Sequence, residues 1–254
     1  MLFVSTVLFL CYFCFVAILL SGWRQVLSSY KRSDHPQENF ISVIVAVRNE
    51  ADNITSLLTA LLSQEYRHFE IIFVDDHSTD HTSDVVVKFG SSIRFIRNNG
   101  TGKKAAISTG LSVAAGTVIV TTDGDCTMSP GWLTTINESF SSPGVQMAIG
   151  PVRISQRDFF STLQSIEFSS LIGSAAAMTA FQKPIMCNGA NLAYRKSVFE
   201  EVNAYEDNLH IASGDDEFLM RKVQERYPAG IIFLADHRSL VSTNAQATLY
   251  DLIQ

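Results

Sequence analysis

Val118-Ile119-Val120-Thr121-Thr122-Asp123-Gly124-Asp125-Cys126 reads as a buried strand that runs into two acids separated by one glycine. An apolar, β-branched run is what the centre of a parallel sheet needs. The acids fall where the strand ends, and open α/β sheets bind ligands at the carboxyl ends of their strands. Two carboxylates one residue apart on a glycine-loosened turn can face one point. That suits a hard divalent cation, Mg2+ or Mn2+, which takes one or two carboxylates and fills its other positions with water and phosphate oxygens. A plain polar turn after a strand has the same composition, and this stretch alone leaves both readings open.

Upstream, Ile41-Ser42-Val43-Ile44-Val45-Ala46-Val47 is a short buried strand followed by Arg48-Asn49-Glu50. A helix is expected over residues 52–63, with Ile54, Leu57, Leu58, Leu61 and Leu62 on one face. Glu70-Ile71-Ile72-Phe73-Val74 is a second strand, ending in Asp75-Asp76-His77-Ser78-Thr79-Asp80. Asp80 or Ser78 suits a helix cap. Asp76 suits either a solvated turn or hydrogen bonds to a ribose or base. Ile93-Arg94-Phe95-Ile96 makes a third strand, and strand–helix alternation of this kind is a doubly wound α/β pattern. Asn98-Asn99-Gly100-Thr101-Gly102-Lys103 then opens a helix. Lys103 opposes that helix's dipole, so either it meets an anion there or it is a surface lysine in the first turn.

Downstream, Ser129-Pro130 is expected to start a helix, Val145–Gly150 a strand, and residues 158–182 a long, weakly charged helix. That helix is long enough to cross a membrane, but Arg157, Asp158, Gln164 and Glu167 favour packing against the domain, with a membrane-facing role as the minor alternative. Met186 to Arg195 reads as a loop entering a strand. Gly214-Asp215-Asp216-Glu217 opens another helix, as a well-capped start or as the seat of a general base. Gly230–Leu234 is the last expected strand, and a final helix is expected from Thr248.

The N-terminus has a different character. Residues 2–23 carry no charge, about the ~20 residues that a bilayer span needs. A basic start and a small-x-small cleavage site, the marks of a signal peptide, are missing. Arg24, Lys31 and Arg32 follow, and positive charge marks the cytoplasmic side. The expected organisation is therefore an anchor over 1–23, a polar linker over 24–39 and a catalytic domain over 40–254, at the cytoplasmic membrane with the domain in the cytoplasm. The net charge of -6 argues against nucleic acid as a partner. Of four cysteines, Cys11 and Cys14 lie in the apolar N-terminus and Cys126 and Cys187 are far apart and isolated, which suggests neither zinc nor a disulfide framework. No Gly-x-Ser-x-Gly or Cys–His pair suggests a covalent nucleophile.

Taken in order, Val47-Arg48-Asn49-Glu50, Val74-Asp75-Asp76, Gly102-Lys103-x-x-Ala106, Asp123-Gly124-Asp125, Gly189-Ala190-Asn191-Leu192-Ala193-Tyr194-Arg195 and Gly214-Asp215-Asp216-Glu217 resemble a family 2 glycosyltransferase from Phe40 onward. The resemblance implies a GT-A-type, mostly parallel sheet and inverting, metal-dependent transfer from a nucleotide sugar, a UDP-sugar in the first instance, to a carbohydrate or lipid-linked acceptor. It implies donor binding by Val47, Arg48, Asn49, Glu50, Asp76, Lys103, Asp123 and Gly189, with Asp76 on the base. It implies that Asp125, with Asp123, holds Mg2+ or Mn2+. Asp216 takes the place of the base, with Asp215 where Glu is usual. Chain-extending members carry a Gln-x-x-Arg-Trp motif after the base. The sequence stops at Gln254 before reaching it, so a piece of a longer protein is expected. The competing classes are a nucleotidyltransferase, which would release pyrophosphate rather than a nucleoside diphosphate, and a non-catalytic nucleotide-sugar-binding protein, which would lack the metal acids or the base.

Overall fold

Ile41–Val47 (β1) lies inside a seven-stranded sheet, third in its strand order, and its burial explains its composition: both faces are covered. In this computed structural model, which describes residues 2–29, 36–205 and 214–248, the other elements follow in chain order. They are helix α1 (Leu2–Ser29), placed before β1, then α2 (Ile54–Leu62), β2 (Phe69–Asp75), α3 (Thr82–Val87), β3 (Arg94–Arg97), α4 (Lys103–Val113), β4 (Val118–Asp123) and β5 (Thr127–Met128). After these come α5 (Trp132–Phe140), β6 (Met147–Ile149), β7 (Val152–Ile154), α6 (Phe159–Ala180), β8 (Leu192–Arg195), α7 (Lys196–Glu201), α8 (Asp215–Arg226), β9 (Ile231–Phe233) and β10 (Val241–Thr243).

The large sheet runs β3-β2-β1-β4-β8-β6-β9. Pairing is parallel from β3 through β4 and between β6 and β9, while β8 is antiparallel to both its neighbours. On one face, Val43, Val45, Phe73 and Val120 pack with Leu57, Leu58 and Trp132 from α2 and α5. On the other, Ile44, Ile72, Val74 and Ile119 pack with Ile107, Leu111, Met220 and Val223 from α4 and α8.

Two features of this topology place the site. The chain crosses from one side of β1 to the other, so Val47 pairs with Asp75 on one flank and Ala46 with Asp123 on the other. That is the switch point at which such sheets bind ligands. Because β8 is reversed, its beginning meets the same edge, with Leu192 opposite Thr121.

Several elements differ from the sequence expectation. The N-terminal helix does not stop at residue 23; it continues to Ser29 through the start of the expected linker. Its end packs on the domain, where Val26 is buried and the Trp23 ring meets Phe233 edge-on at 6.1 Å. Helix α5 starts two residues past Pro130, whose carbonyl accepts the Glu65 N–H instead. Gly230–Leu234 does not hold the last strand: β10 follows it, in a second sheet of order β5-β10-β7. Strands of two or three residues are too short to show a period-2 pattern. Residues 249–254, where the final helix was expected, lie outside the described residues, as do residues 30–35 of the linker.

Candidate active site

The edge formed by β1, β2, β4 and β8 carries most of the residues singled out from sequence. The Lys103 ammonium donates to Asp123 Oδ1 at 2.6 Å, both side chains being about a third exposed (37% and 35%). Lys103 reaches it from the first turn of α4, which is entered through Gly102 at φ +90°, a backbone conformation that favours glycine. Gly189, held by the Thr121 hydroxyl on its carbonyl at 2.8 Å, donates its N–H to Asp216 Oδ2, also at 2.8 Å. The other Asp216 oxygen accepts the Glu217 N–H. A Cβ on Gly189 would lie 3.4 Å from the Lys103 nitrogen and 3.8 Å from Asp216 Oδ2, so this glycine keeps the space between cation and acid open.

Asp215 and Asp216 share the start of α8 and differ in setting. Asp215 is buried and Asp216 half-buried. Burial raises the Asp215 pKa, Lys103 opposes the rise, and Asp216 adds to it. Lys103 itself stays protonated: burial would lower its pKa, but Asp123 first, then Asp215 and Asp216, outweigh that and raise it.

Asp125 points the other way along the edge. Its Oδ2 accepts from the Thr243 hydroxyl at 2.6 Å and from the Asn244 N–H at 3.3 Å. Glu50 folds over Gly124, where a Cβ would come within 2.7 Å of Glu50 Cγ. Burial raises the Glu50 pKa, the Asn53 hydrogen bond lowers it, and Asp125, Asp123 and Asp80 raise it again. Burial, with Asp123 and Asp125 beside it, pushes the Cys126 thiol up to about 12.

This donor set fits a hard divalent cation. After burial, Asp125 and Asp123 both raise the Glu50 pKa, and of these three carboxylates Asp123 is the one bonded to Lys103. Among the described residues nothing donates a hydrogen bond to Asp123 Oδ2, and Asp125 Oδ1 has only the Cys126 thiol at 3.7 Å. No group of three or more His, Cys, Asp or Glu side chains placed to hold a metal ion occurs among the described residues. A Mg2+-type site needs none, since phosphates and water supply the remaining positions.

The other expected donor residues are placed as follows. The Asp76 carboxylate accepts from the Asn98 amide at 2.7 Å and from the Gly102 N–H at 3.0 Å to each oxygen, so it shapes the loop before α4. Val47 is buried in the core, and its carbonyl accepts the Asp76 N–H. Arg48 is exposed. Asn49, at φ +58°, clamps the β1 and β2 loops together: its N–H donates to the Ser78 hydroxyl and its Oδ1 accepts the Thr79 N–H. Asp80 receives the Thr82 N–H at the start of α3, as a cap would, and the Ala51 N–H as well. Sequence reasoning missed Thr243 and Asn244, which follow the last expected strand and carry no motif. It also missed that Asn191 is structural, accepting from the Trp132 indole and donating to the carbonyls of Pro151 and Ser239.

A cleft of about 670 Å3 lies elsewhere, between the ends of α1 and α6 and β9. Its one ionisable wall residue, Glu138, is bound to Arg238. The convergent charged groups, rather than the size of the cleft, mark the sheet edge as the candidate site.

The sequence model of glycosyl transferase family 2 matches residues 42–202, which hold β1 through α7 and every site group except those from α8 and β10. The chain belongs to glycosyl transferase family 2. Similar proteins include glycosyltransferase AglE of Haloferax volcanii, 28% identical over 74% of this chain and 62% of that protein. The poly-beta-1,6-N-acetyl-D-glucosamine synthase of Staphylococcus epidermidis is 25% identical over 70% of this chain and 45% of that one. The chain thus spans between about half and three-fifths of the length of these relatives. Among solved structures, the Pyrobaculum calidifontis mannosyltransferase PcManGT, in complex with GDP-Man and Mn2+, superposes with a TM-score of 0.63. It is 20% identical over 93% of this chain and 67% of its own. Residues 1–349 of S. aureus TarS in complex with UDP-GlcNAc give 0.61 at 19% identity, over 84% of this chain and 61% of that one. The GT-A fold follows from these likenesses.

Proposed function

We propose that the chain is the donor-binding and catalytic part of an inverting glycosyltransferase that takes a sugar from a nucleotide sugar, a UDP-sugar in the first instance. The observation that carries this reading is the pairing of Lys103 with Asp123 across Gly189 from Asp216: a cation suited to a diphosphate faces an accessible carboxylate over an open gap. Names of relatives agree with the reading: one is a poly-N-acetylglucosamine synthase, and fold neighbours hold GDP-Man or UDP-GlcNAc.

Asp125 and Asp123 would hold Mg2+ or Mn2+, which when bound neutralises charge on a departing diphosphate. Lys103 adds a fixed positive charge beside the same phosphates. Asp216 takes the proton from the acceptor hydroxyl while that oxygen attacks the anomeric carbon from the face opposite the nucleotide. The sugar–phosphate C–O bond breaks, its electron pair leaves on the nucleoside diphosphate, and the new glycosidic bond has inverted configuration. Asp215 is too buried to meet an acceptor; it balances Lys103. The acceptor, a carbohydrate or a lipid-linked glycan, is met at the cytoplasmic face of the membrane, to which α1 anchors the domain.

Calorimetric titration of the detergent-solubilised chain with UDP and with GDP, each with and without Mn2+, tests the donor site. UDP should bind only with metal, and Asp125→Ala should lower that affinity at least about tenfold, one charge-assisted contact's worth. Unchanged affinity in Asp125→Ala removes the metal assignment, and preference for GDP moves the donor class.

A further inference from the structure

Asp125 is held from a distance. Strand β10 pairs antiparallel with β5, Val241 opposite Met128 and Ser242 opposite Thr127. Because β5 starts two residues past Asp125, the end of β10 comes alongside the turn that carries this acid. The Thr243 hydroxyl donates to Asp125 Oδ2 at 2.6 Å, and the Asn244 N–H donates to the same oxygen at 3.3 Å. The shorter separation is that of a hydroxyl bound to an ionised carboxylate. On its other side β10 is fixed by β7, with Thr243 opposite Ile154 and the Thr243 carbonyl accepting the Ser155 N–H at 2.9 Å.

The Asn244 side chain anchors this clamp. Its Oδ1 accepts from Arg157 at 2.9 Å, and its Nδ2 donates to Asn53 Oδ1 at 3.3 Å. Asn53 in turn donates to Glu50 Oε2 at 2.8 Å. Further along, the backbone of Gln246 exchanges hydrogen bonds with the Gln164 amide of α6. The segment that follows β10 is therefore tied to the start of α2 and to α6. An unheld aspartate carboxylate rotates over a broad range about its last bond. Two donors on Oδ2 stop that rotation and occupy that oxygen. Among the described residues, Oδ1 has only the Cys126 thiol, at 3.7 Å. A Mg2+-type ion demands near-ideal geometry. A carboxylate fixed before the ion arrives offers it one oxygen in a set place.

We infer that Thr243 is a positioning residue for the cation: its hydroxyl, with the Asn244 N–H, occupies one oxygen of Asp125 and leaves the other as the ligand. This rests on reading Asp125 as a metal acid. It also gives the three-stranded sheet a task, since β5, β10 and β7 bring Thr243 to an acid 118 residues away in sequence.

Calorimetric titration of the detergent-solubilised full chain with UDP, at a series of Mn2+ concentrations, tests it. Thr243→Val removes the hydroxyl and keeps a β-branched side chain suited to a strand. It should raise the Mn2+ concentration that supports half-maximal UDP binding about 10–100-fold, the usual effect of losing a partner of a metal ligand. Saturating Mn2+ should then restore the wild-type UDP affinity. Thr243→Ser, which keeps the hydroxyl, should need no more Mn2+ than the wild type. Thr243→Ala decides by the same criterion if Thr243→Val melts below the titration temperature. An unchanged Mn2+ requirement in Thr243→Val, while Asp125→Ala weakens metal-dependent binding, overturns the Thr243 inference and leaves the metal reading intact. UDP affinity that stays low at saturating Mn2+, or equal weakening in Thr243→Ser, assigns Thr243 to packing alone and also overturns it. No Mn2+ requirement in the wild type, or an unchanged one in Asp125→Ala, removes the metal reading and this inference together.

Discussion

Glu50 shows what the site costs a single residue. Its carboxyl shares the edge with Asp123, Asp125 and Asp80, and burial, then these charges, hold its pKa above the ordinary value. In the unfolded chain the group ionises at lower pH than in the fold. Between the two pKa values the folded state holds the extra proton, so stability falls as pH rises through that window and then levels. Glu50→Gln should thus raise the thermal midpoint of the metal-free protein at neutral pH and leave it unchanged at acid pH, measured by circular dichroism. The same reasoning separates the neighbouring acids of α8. Asp216→Asn should cut the transfer rate by about 10²–10⁴-fold, the worth of a general base, with donor affinity kept. Asp215→Asn should retain transfer, and an inactive Asp215→Asn would move the base by one residue. From sequence Asp216 took the place of the base, with Asp215 where Glu is usual; the structure buries Asp215 and sets Asp216 against Gly189, which supports that order. Thr243 and Asn244 were not legible at all, because a hydroxyl and a backbone N–H that meet Asp125 from 118 and 119 residues away leave no local pattern.

Among the elements, the long apolar strands β1, β2 and β4 were readable because burial on both faces demands a continuous β-branched run. The reversal of β8 was not, since Leu192-Ala193-Tyr194-Arg195 has the composition of a strand in either direction. That reversal delivers Gly189 to the site, and a clasp holds it. Asn191, just before β8, joins α5 through Trp132, β7 through Pro151 and the loop before β10 through Ser239. A Cβ on Gly150 would fall 2.2 Å from the Asn191 side chain, which has no freedom to yield. Gly150→Ala should cost about 1–3 kcal/mol, as other overpacked cores do, and urea denaturation would measure it. It should also lower transfer, because the displaced Asn191 carries Gly189 with it. Retained stability and activity would mean that the clasp repacks.

At the scale of the whole molecule, the end of α1 packs on the domain: Gly22 and Gln25 lie against α6, and Val26 is buried in the core beside it. On the proposed orientation, with the domain in the cytoplasm, protease added to inside-out membrane vesicles should digest the domain, while protease outside intact spheroplasts should spare it. The opposite pattern would reverse the proposed orientation. The sequence by itself carried the resemblance to the family through its ordered motifs, and it determined the doubly wound sheet and the strand-end positions of Asp76, Asp123 and Asp125, because hydrophobic period and turn chemistry are local properties of a chain. Only the tertiary structure decided that Lys103 meets Asp123, that Asp216 rather than Asp215 faces the gap, and that Thr243 meets Asp125. Each of these depends on which distant segments the reversed strand and the short second sheet bring together. Contacts over that separation are fixed by packing, not by any spacing in the sequence.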